Sequence, residues 1–340
     1  MIVTQRIKIN RRDFIKITAI TGGVLAGGKF LLDLLGEDHV IVKETRVMMG
    51  TIINLAVVAE SQSAGEGAVA ATLAEMERQI AIFNHRNPES PVNHLNAVGR
   101  LDDPPTELVE VLTQAAAISE MSDGAFDVTV MPLVSLYQKA NEAQAGLPDE
   151  DEIQKARALV GFRNMDVSPG KLAFTQPGMS ITLDGIAKGY IVDAGVEQLK
   201  SLGYESVFVE AGGDLMAAGS KEPDTPWRVG VRSPRQEQGG MIARFNVRNQ
   251  AVATSGDYMQ YYSPDLMNHH IIDPRTGHSP TELASATIVS GSAVSSDALA
   301  TAVMVMGVGE SLALVESLPG IEVFLVSKHM EPYASSGFQG

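Results

Sequence analysis

Along residues 37–340, stretches with strand periodicity and stretches with helical periodicity alternate in no regular order. No repeat of fixed period, low-complexity tract or long Pro/Ser-rich linker divides them. This excludes a repeat array and predicts one α+β domain with a largely antiparallel sheet. Residues 48–58 alternate as a strand. Residues 68–83 place Leu73, Met76, Ile80 and Phe83 at helical spacing, so that one face is buried. Thr106 precedes Glu107 and a run ending before Gly124, which predicts an N-capped helix with a glycine stop. Residues 171–175 and 179–183 flank Gln176-Pro177-Gly178, a hairpin signal. Further helices are predicted over 187–202 and over 296–306, the second stopped by Gly307. Further strands are predicted over 206–210, 227–231 and 243–247.

The 340 residues include no Cys. That removes a disulfide framework, thiolate catalysis, iron–sulfur clusters, Cys-ligated zinc and lipoprotein acylation together. A formal net charge of −15 argues against a nucleic-acid partner, because phosphate backbones bind basic surfaces.

Charge is unevenly spread, with six bases and two acids in residues 1–36. There Arg11-Arg12-Asp13-Phe14-Ile15-Lys16 precedes an apolar, Gly-rich stretch interrupted by Lys29 and Asp33. This order resembles a bacterial twin-arginine export signal; the alternative is a basic amphipathic helix on a cytoplasmic protein. The signal predicts export to the periplasm or the outer face of the cytoplasmic membrane. The leader is either cleaved near Gly27 or Gly28 or kept as an N-terminal membrane anchor. Residues 37–340 are expected to form the functional domain.

Five short segments carry more information than the rest of the chain. In Leu183-Asp184-Gly185-Ile186-Ala187-Lys188-Gly189-Tyr190 a strand ends in an acid and a helix begins between two glycines. Such a turn is either an ordinary strand-to-helix connection or an anion site at a helix start. Glu210-Ala211-Gly212-Gly213-Asp214 is either a simple turn or a place where backbone approaches a ligand closely. Ala253-Thr254-Ser255-Gly256-Asp257-Tyr258 follows, then His270-Ile271-Ile272-Asp273-Pro274-Arg275-Thr276-Gly277, a tight-turn sequence behind a strand expected to hold the imidazole in place. In Ser295-Ser296-Asp297-Ala298-Leu299-Ala300-Thr301-Ala302, Asp297 and Thr301 lie four apart on one helical face. A carboxylate and a hydroxyl there suit a hard cation such as Mg²⁺, or form an acidic helix start with no metal.

These segments, with Met49-Gly50-Thr51 and Gly124-Ala125-Phe126-Asp127-Val128-Thr129, stand in the order and spacing of the FAD:protein FMN transferase (ApbE) family, which the chain resembles from about Thr45 to Met330. The resemblance implies a T-fold-like α+β domain holding a flavin site and a magnesium site. It also implies flavin-nucleotide contacts at Met49, Ala125, Phe126, Asp127, Asp184, Tyr190 and Ile271, and a Mg²⁺ site at the Ala187 carbonyl, Asp297 and Thr301. Lys188 sits where it can meet a phosphate. The family often has Asn or Gly ahead of its paired glycines, where this chain has Glu210-Ala211.

The implied reaction is Mg²⁺-dependent transfer of FMN from FAD to a Thr or Ser hydroxyl of an acceptor protein, releasing AMP. A hydroxyl nucleophile needs a base within reach, and His270 is the candidate, with Asp257 as the alternative base or an orienting partner. The rival readings are an FAD pyrophosphatase, in which water replaces the acceptor, and a non-catalytic FAD-binding protein. The resemblance suggests acceptors bearing a flavinylation motif: subunits of Na⁺-pumping or Rnf-type redox complexes, or domains of extracellular reductases.

Overall fold

A computed structural model describes residues 39–221, 225–235 and 240–339 of the protein. The expected export segment, residues 1–36, lies outside them. Among the described residues the main sheet has eight strands: β1 (Val40–Met48), β2 (Thr51–Ala59), β6 (Val207–Ala211), β7 (Asp214–Ala218), β10 (Gln250–Gly256), β11 (Leu283–Ser290), β12 (Glu322–Ser327) and β13 (Pro332–Ala334), adjacent in that order. Every neighbouring pair is antiparallel, as expected.

Three long helices cover one face: α1 (Gln62–Phe83), α6 (Ala187–Ser201) and α7 (Ala293–Glu316). The hairpin of β8 (Trp227–Arg232) and β9 (Met241–Val247) covers part of the other. Side-chain alternation explains how β7 serves both layers. Met216 and Ala218 join the helix-side core, whereas Leu215 and Ala217 pack with Trp227, Phe245 and Val247. Burying a large apolar side chain stabilises by roughly 1.5–3 kcal/mol, so this double cover stabilises the sheet centre from both faces. α7 is long and apolar enough to cross a membrane, yet it packs against α6, β10 and β11 inside the domain.

The remaining elements form a smaller layer. They are α2 (Pro91–Val98), β3 (Arg100–Asp102), α3 (Thr106–Met121), α4 (Met131–Glu142), α5 (Glu150–Arg157), β4 (Met165–Ser168) and β5 (Lys171–Phe174), with β5 central in a three-stranded sheet.

Several expectations need correcting. The strand predicted over 48–58 is β2, and Met48 instead ends β1; the two-residue turn Met49-Gly50 between them has φ of 54° and 71°. Both positive values suit the twist of a tight hairpin. The hairpin expected around Pro177 is not formed: β5 turns back on β4, and residues 179–183 form no strand. The Asn96 side chain takes over the ladder's role, donating to the Ile181 carbonyl at 2.8 Å and accepting the Ile181 N–H at 2.7 Å. Thr106 is not a cap but the first residue of α3, behind Pro105; Gly124 does close that helix, with φ 75° and its N–H on the Ser119 carbonyl. Gly307 breaks helical geometry with φ 76°, but the helix resumes beyond it to Glu316, with Ser311 and Val315 buried on its inner side. No strand leads into His270; a single bridge, Tyr261 to His269, stands there.

Candidate active site

The site is built where α6 and α7 begin. Gly189 on α6 lies against the Ala293 carbonyl at the start of α7, where a Cβ would overlap that oxygen. Across this contact the Gly189 N–H donates to Asp297 Oδ2 at 3.0 Å. From α6, Asp193 caps α7, accepting the N–H groups of Ala293 at 2.8 Å and Val294 at 2.9 Å. Helix starts carry unpaired N–H donors, so this carboxylate fixes the crossing.

Lys188 sits between two buried carboxylates, donating to Asp214 and, at 3.1 Å, to Asp297 Oδ1. Burial by itself disfavours the Lys188 ammonium, but the facing Asp214 and Asp297 outweigh it and hold its pKa above the usual lysine range. Burial pushes the Asp214 carboxyl up, against the pull of Lys188. Asp214 is anchored further by the Thr254 N–H at 3.3 Å. Sequence reasoning gave Asp214 no role; its signal was the acid directly after the paired glycines.

Thr301 Oγ1 lies 3.3 Å from Ser255 Oγ, and a Cβ on Gly185 would press on both Thr301 and Phe126. Asp297, Thr301, Gly185 and the Ala125-Phe126 segment therefore meet, although the chain separates them widely. The expected Mg²⁺ donors are all oxygen, and two buried carboxylates against one ammonium leave excess negative charge, so they fit a hard divalent cation. Among the described residues no three His, Asp or Glu side chains gather into a cage. The expected donor set has one carboxylate, Asp297, with the Thr301 hydroxyl and the Ala187 carbonyl.

Other expected contacts are placed as follows. The Met49 turn lies beside the Gly212 turn, which donates its N–H to the Ile52 carbonyl at 3.0 Å. Glu210 is buried there, bonded to Asn54 and, at 2.6 Å, to the Gly213 N–H, and burial raises its pKa. Asp184 is half exposed and paired with Arg86 at 3.0 Å, while His85 Nδ1 is 3.7 Å away; sequence reasoning missed both partners. The Tyr190 hydroxyl donates to Glu110 at 2.6 Å. Ala125 and Ile271 are buried in the core.

Asp127 does not offer its carboxylate to a ligand. Its oxygens accept from the Thr129 N–H and hydroxyl at 2.8 and 2.6 Å and from the Phe162 N–H at 2.8 Å. It is a scaffold group.

His270 donates its backbone N–H to the Gln260 carbonyl, and its Nδ1 lies 3.0 Å from the same oxygen. A carbonyl can only accept, so Nδ1 carries the proton of the neutral ring and Nε2 keeps its lone pair. Burial holds the His270 pKa below the usual histidine value, and the charges of Asp184, Lys188 and Asp257 all act on the ring. Asp257 has no exposed surface and is clamped by Arg235 at 2.8 and 2.9 Å and by Lys328 at 3.1 Å. With Arg235 on both its oxygens and Lys328 on one, Asp257 is held in place as an orienting partner would be.

Residues 49–325 match the model of the ApbE family. An FAD:protein FMN transferase from Vibrio cholerae is 33% identical over 239 residues, covering 69% of this chain and 72% of that protein. One from Treponema pallidum is 31% identical over 247 residues, covering 68% of each. Among solved structures, the ApbE protein of Thermotoga maritima is 31% identical, with a TM-score of 0.79 over 87% of this chain and 97% of that one. The Vibrio cholerae flavin transferase ApbE is 28% identical, with a TM-score of 0.73 over 88% and 98%.

Proposed function

Since the chain belongs to the ApbE family, we propose that it transfers FMN from FAD to a Thr or Ser hydroxyl of an acceptor protein and releases AMP. The observation that carries this reading is the convergence of Lys188, Asp214 and Asp297, from three separate stretches, at two helix starts beside His270. Two carboxylates against one ammonium leave negative charge that suits a divalent cation, and such a cation would in turn suit a pyrophosphate.

In this reading the acceptor hydroxyl attacks the FMN phosphorus of FAD. A phosphoester bond forms, the pyrophosphate bond to AMP breaks, and the hydroxyl proton passes to His270 Nε2. Gln260 holds the ring in the tautomer this requires. Lys188 balances phosphate charge, and Asp214 holds Lys188. Asp297, Thr301 and the Ala187 carbonyl would hold Mg²⁺, which when bound supplies positive charge against phosphate oxygens. Asp193 and Gly189 keep Asp297 in register with Ala187. The twin-arginine-like leader supports placing this reaction outside the cytoplasmic membrane, with a redox-complex subunit or an extracellular reductase as acceptor.

The test is to mix the full protein with FAD and Mg²⁺, with and without a Thr-bearing redox-complex subunit. AMP and protein-bound flavin should appear in equal amounts and only with acceptor present. AMP with free FMN would indicate the pyrophosphatase instead, and no AMP at all would indicate a binding protein. Asp297→Ala should abolish Mg²⁺-dependent turnover; unchanged metal dependence would refute the metal site.

A further inference from the structure

His270 is not carried by regular structure. It closes a loop that leaves the sheet after β10, and one carbonyl, that of Gln260, meets both its backbone N–H and its Nδ1. The direction of the ring therefore depends on where that loop places Gln260.

The loop is tied down from below. Asp257 starts it, with its N–H on the Ala284 carbonyl of β11 at 3.1 Å. Lys328 follows β12 and is itself fixed through its N–H on the Glu282 carbonyl at 2.9 Å. Its side chain, 10% exposed, sends the ammonium to Asp257 Oδ2 at 3.1 Å and to the Leu266 carbonyl at the far end of the loop. Leu266 has φ 61°, a left-handed conformation that a leucine keeps only when its surroundings enforce it. Across the loop, Tyr262 N–H meets the Asn268 carbonyl at 2.7 Å, and Tyr261 bridges His269. Arg235 takes Asp257 Oδ1 at 2.8 Å and Oδ2 at 2.9 Å, so the acid cannot turn away from Lys328.

We propose that Lys328 is a positioning residue for the transfer reaction: by bonding Asp257 and the Leu266 carbonyl at once, it holds the loop whose Gln260 carbonyl sets the tautomer and aim of His270. Arg235 supports it through the shared carboxylate. Lys328 lies just past residues 49–325, the span that matches the family model. The proposal rests on the reading of His270 as the base.

The experiment uses the full chain with FAD, Mg²⁺ and a Thr-bearing redox-complex subunit, and compares Lys328→Met and Lys328→Arg, each alone and combined with His270→Ala. Lys328→Met should lower kcat for flavinylation about 10²-fold, the effect of a displaced catalytic group, while KM for FAD stays within about twofold. Lys328→Arg, which can span both acceptors, should recover most of the rate. In the His270→Ala background Lys328→Met should add no further loss, since coupled residues are not additive. Ring ¹⁵N spectra of histidine-labelled protein should show a single Nδ1–H tautomer for His270 in the parent and a mixture in Lys328→Met. Wild-type kcat in Lys328→Met, an equal further loss without His270, or an unchanged tautomer would each overturn the proposal. So would a rate loss that only follows a lowered Tm and is not rescued by Arg. Full activity of His270→Ala by itself would instead remove the base reading on which the proposal stands.

Discussion

The Gly189 N–H donates to Asp297 Oδ2 at 3.0 Å, joining the starts of two helices whose sequences lie more than a hundred residues apart. The bond exists because glycine alone lets α6 rest on the Ala293 carbonyl. In an ordinary helix interior Gly→Ala gains up to about 1 kcal/mol. Here the sign reverses. Gly189→Ala should destabilise by about 1–3 kcal/mol through overpacking and should weaken Mg²⁺-dependent turnover, because Asp297 is pushed from Ala187. Urea unfolding and a Mg²⁺ titration check both.

His270→Ala should leave FAD affinity, read by flavin fluorescence, nearly intact while transfer falls about 10²–10⁴-fold. The ring is held by Gln260 and not by a phosphate donor, so binding has little to lose.

Its neighbour His269 predicts a pH dependence of stability. The ring is fully buried, with Nε2 on the Pro280 carbonyl at 3.0 Å and Nδ1 without a partner. Burial lowers its pKa to about 4, against 6.5 for an ordinary histidine. Between these values the unfolded chain binds the extra proton, so stability rises with pH across that window. This contribution, about 3 kcal/mol, should be complete above pH 6.5 and lost as pH falls towards 4. From pH 7 through 5.5 to 4.5 the unfolding free energy of the parent should fall more steeply than that of His269→Leu, and equal slopes, or a steeper fall in His269→Leu, would refute the assignment.

Asn96→Ala should cost about 2 kcal/mol or more, because it strips partners from both backbone groups of buried Ile181. The stretch leading to Asp184 would then lose its support. Hydrogen exchange at Ile181 should accelerate strongly, and an unchanged rate would show that another group had taken over.

Much of this protein was legible in its residues before any tertiary contact was known. Periodicity located α6, β6, β8 and β9 closely, since alternation and helical spacing are local properties. The glycine-bearing turns, Asp297 with Thr301 one turn later, and His270 were all visible for the same reason. Partner choice was not. Nothing in the spacing of Asp214 says that it shares Lys188 with Asp297, or that Arg86 meets Asp184 across 98 residues. Asp127 and Asp257 looked like available acids, and only packing showed one capping a turn and the other clamped by Arg235 and Lys328. The hairpin assigned to Pro177 failed likewise, because the Asn96 amide from a distant helix satisfied the backbone that a ladder would have paired. Local propensity decides which segments become helix, strand or turn; which charge meets which is decided by the burial that forces each polar group to find a partner within reach.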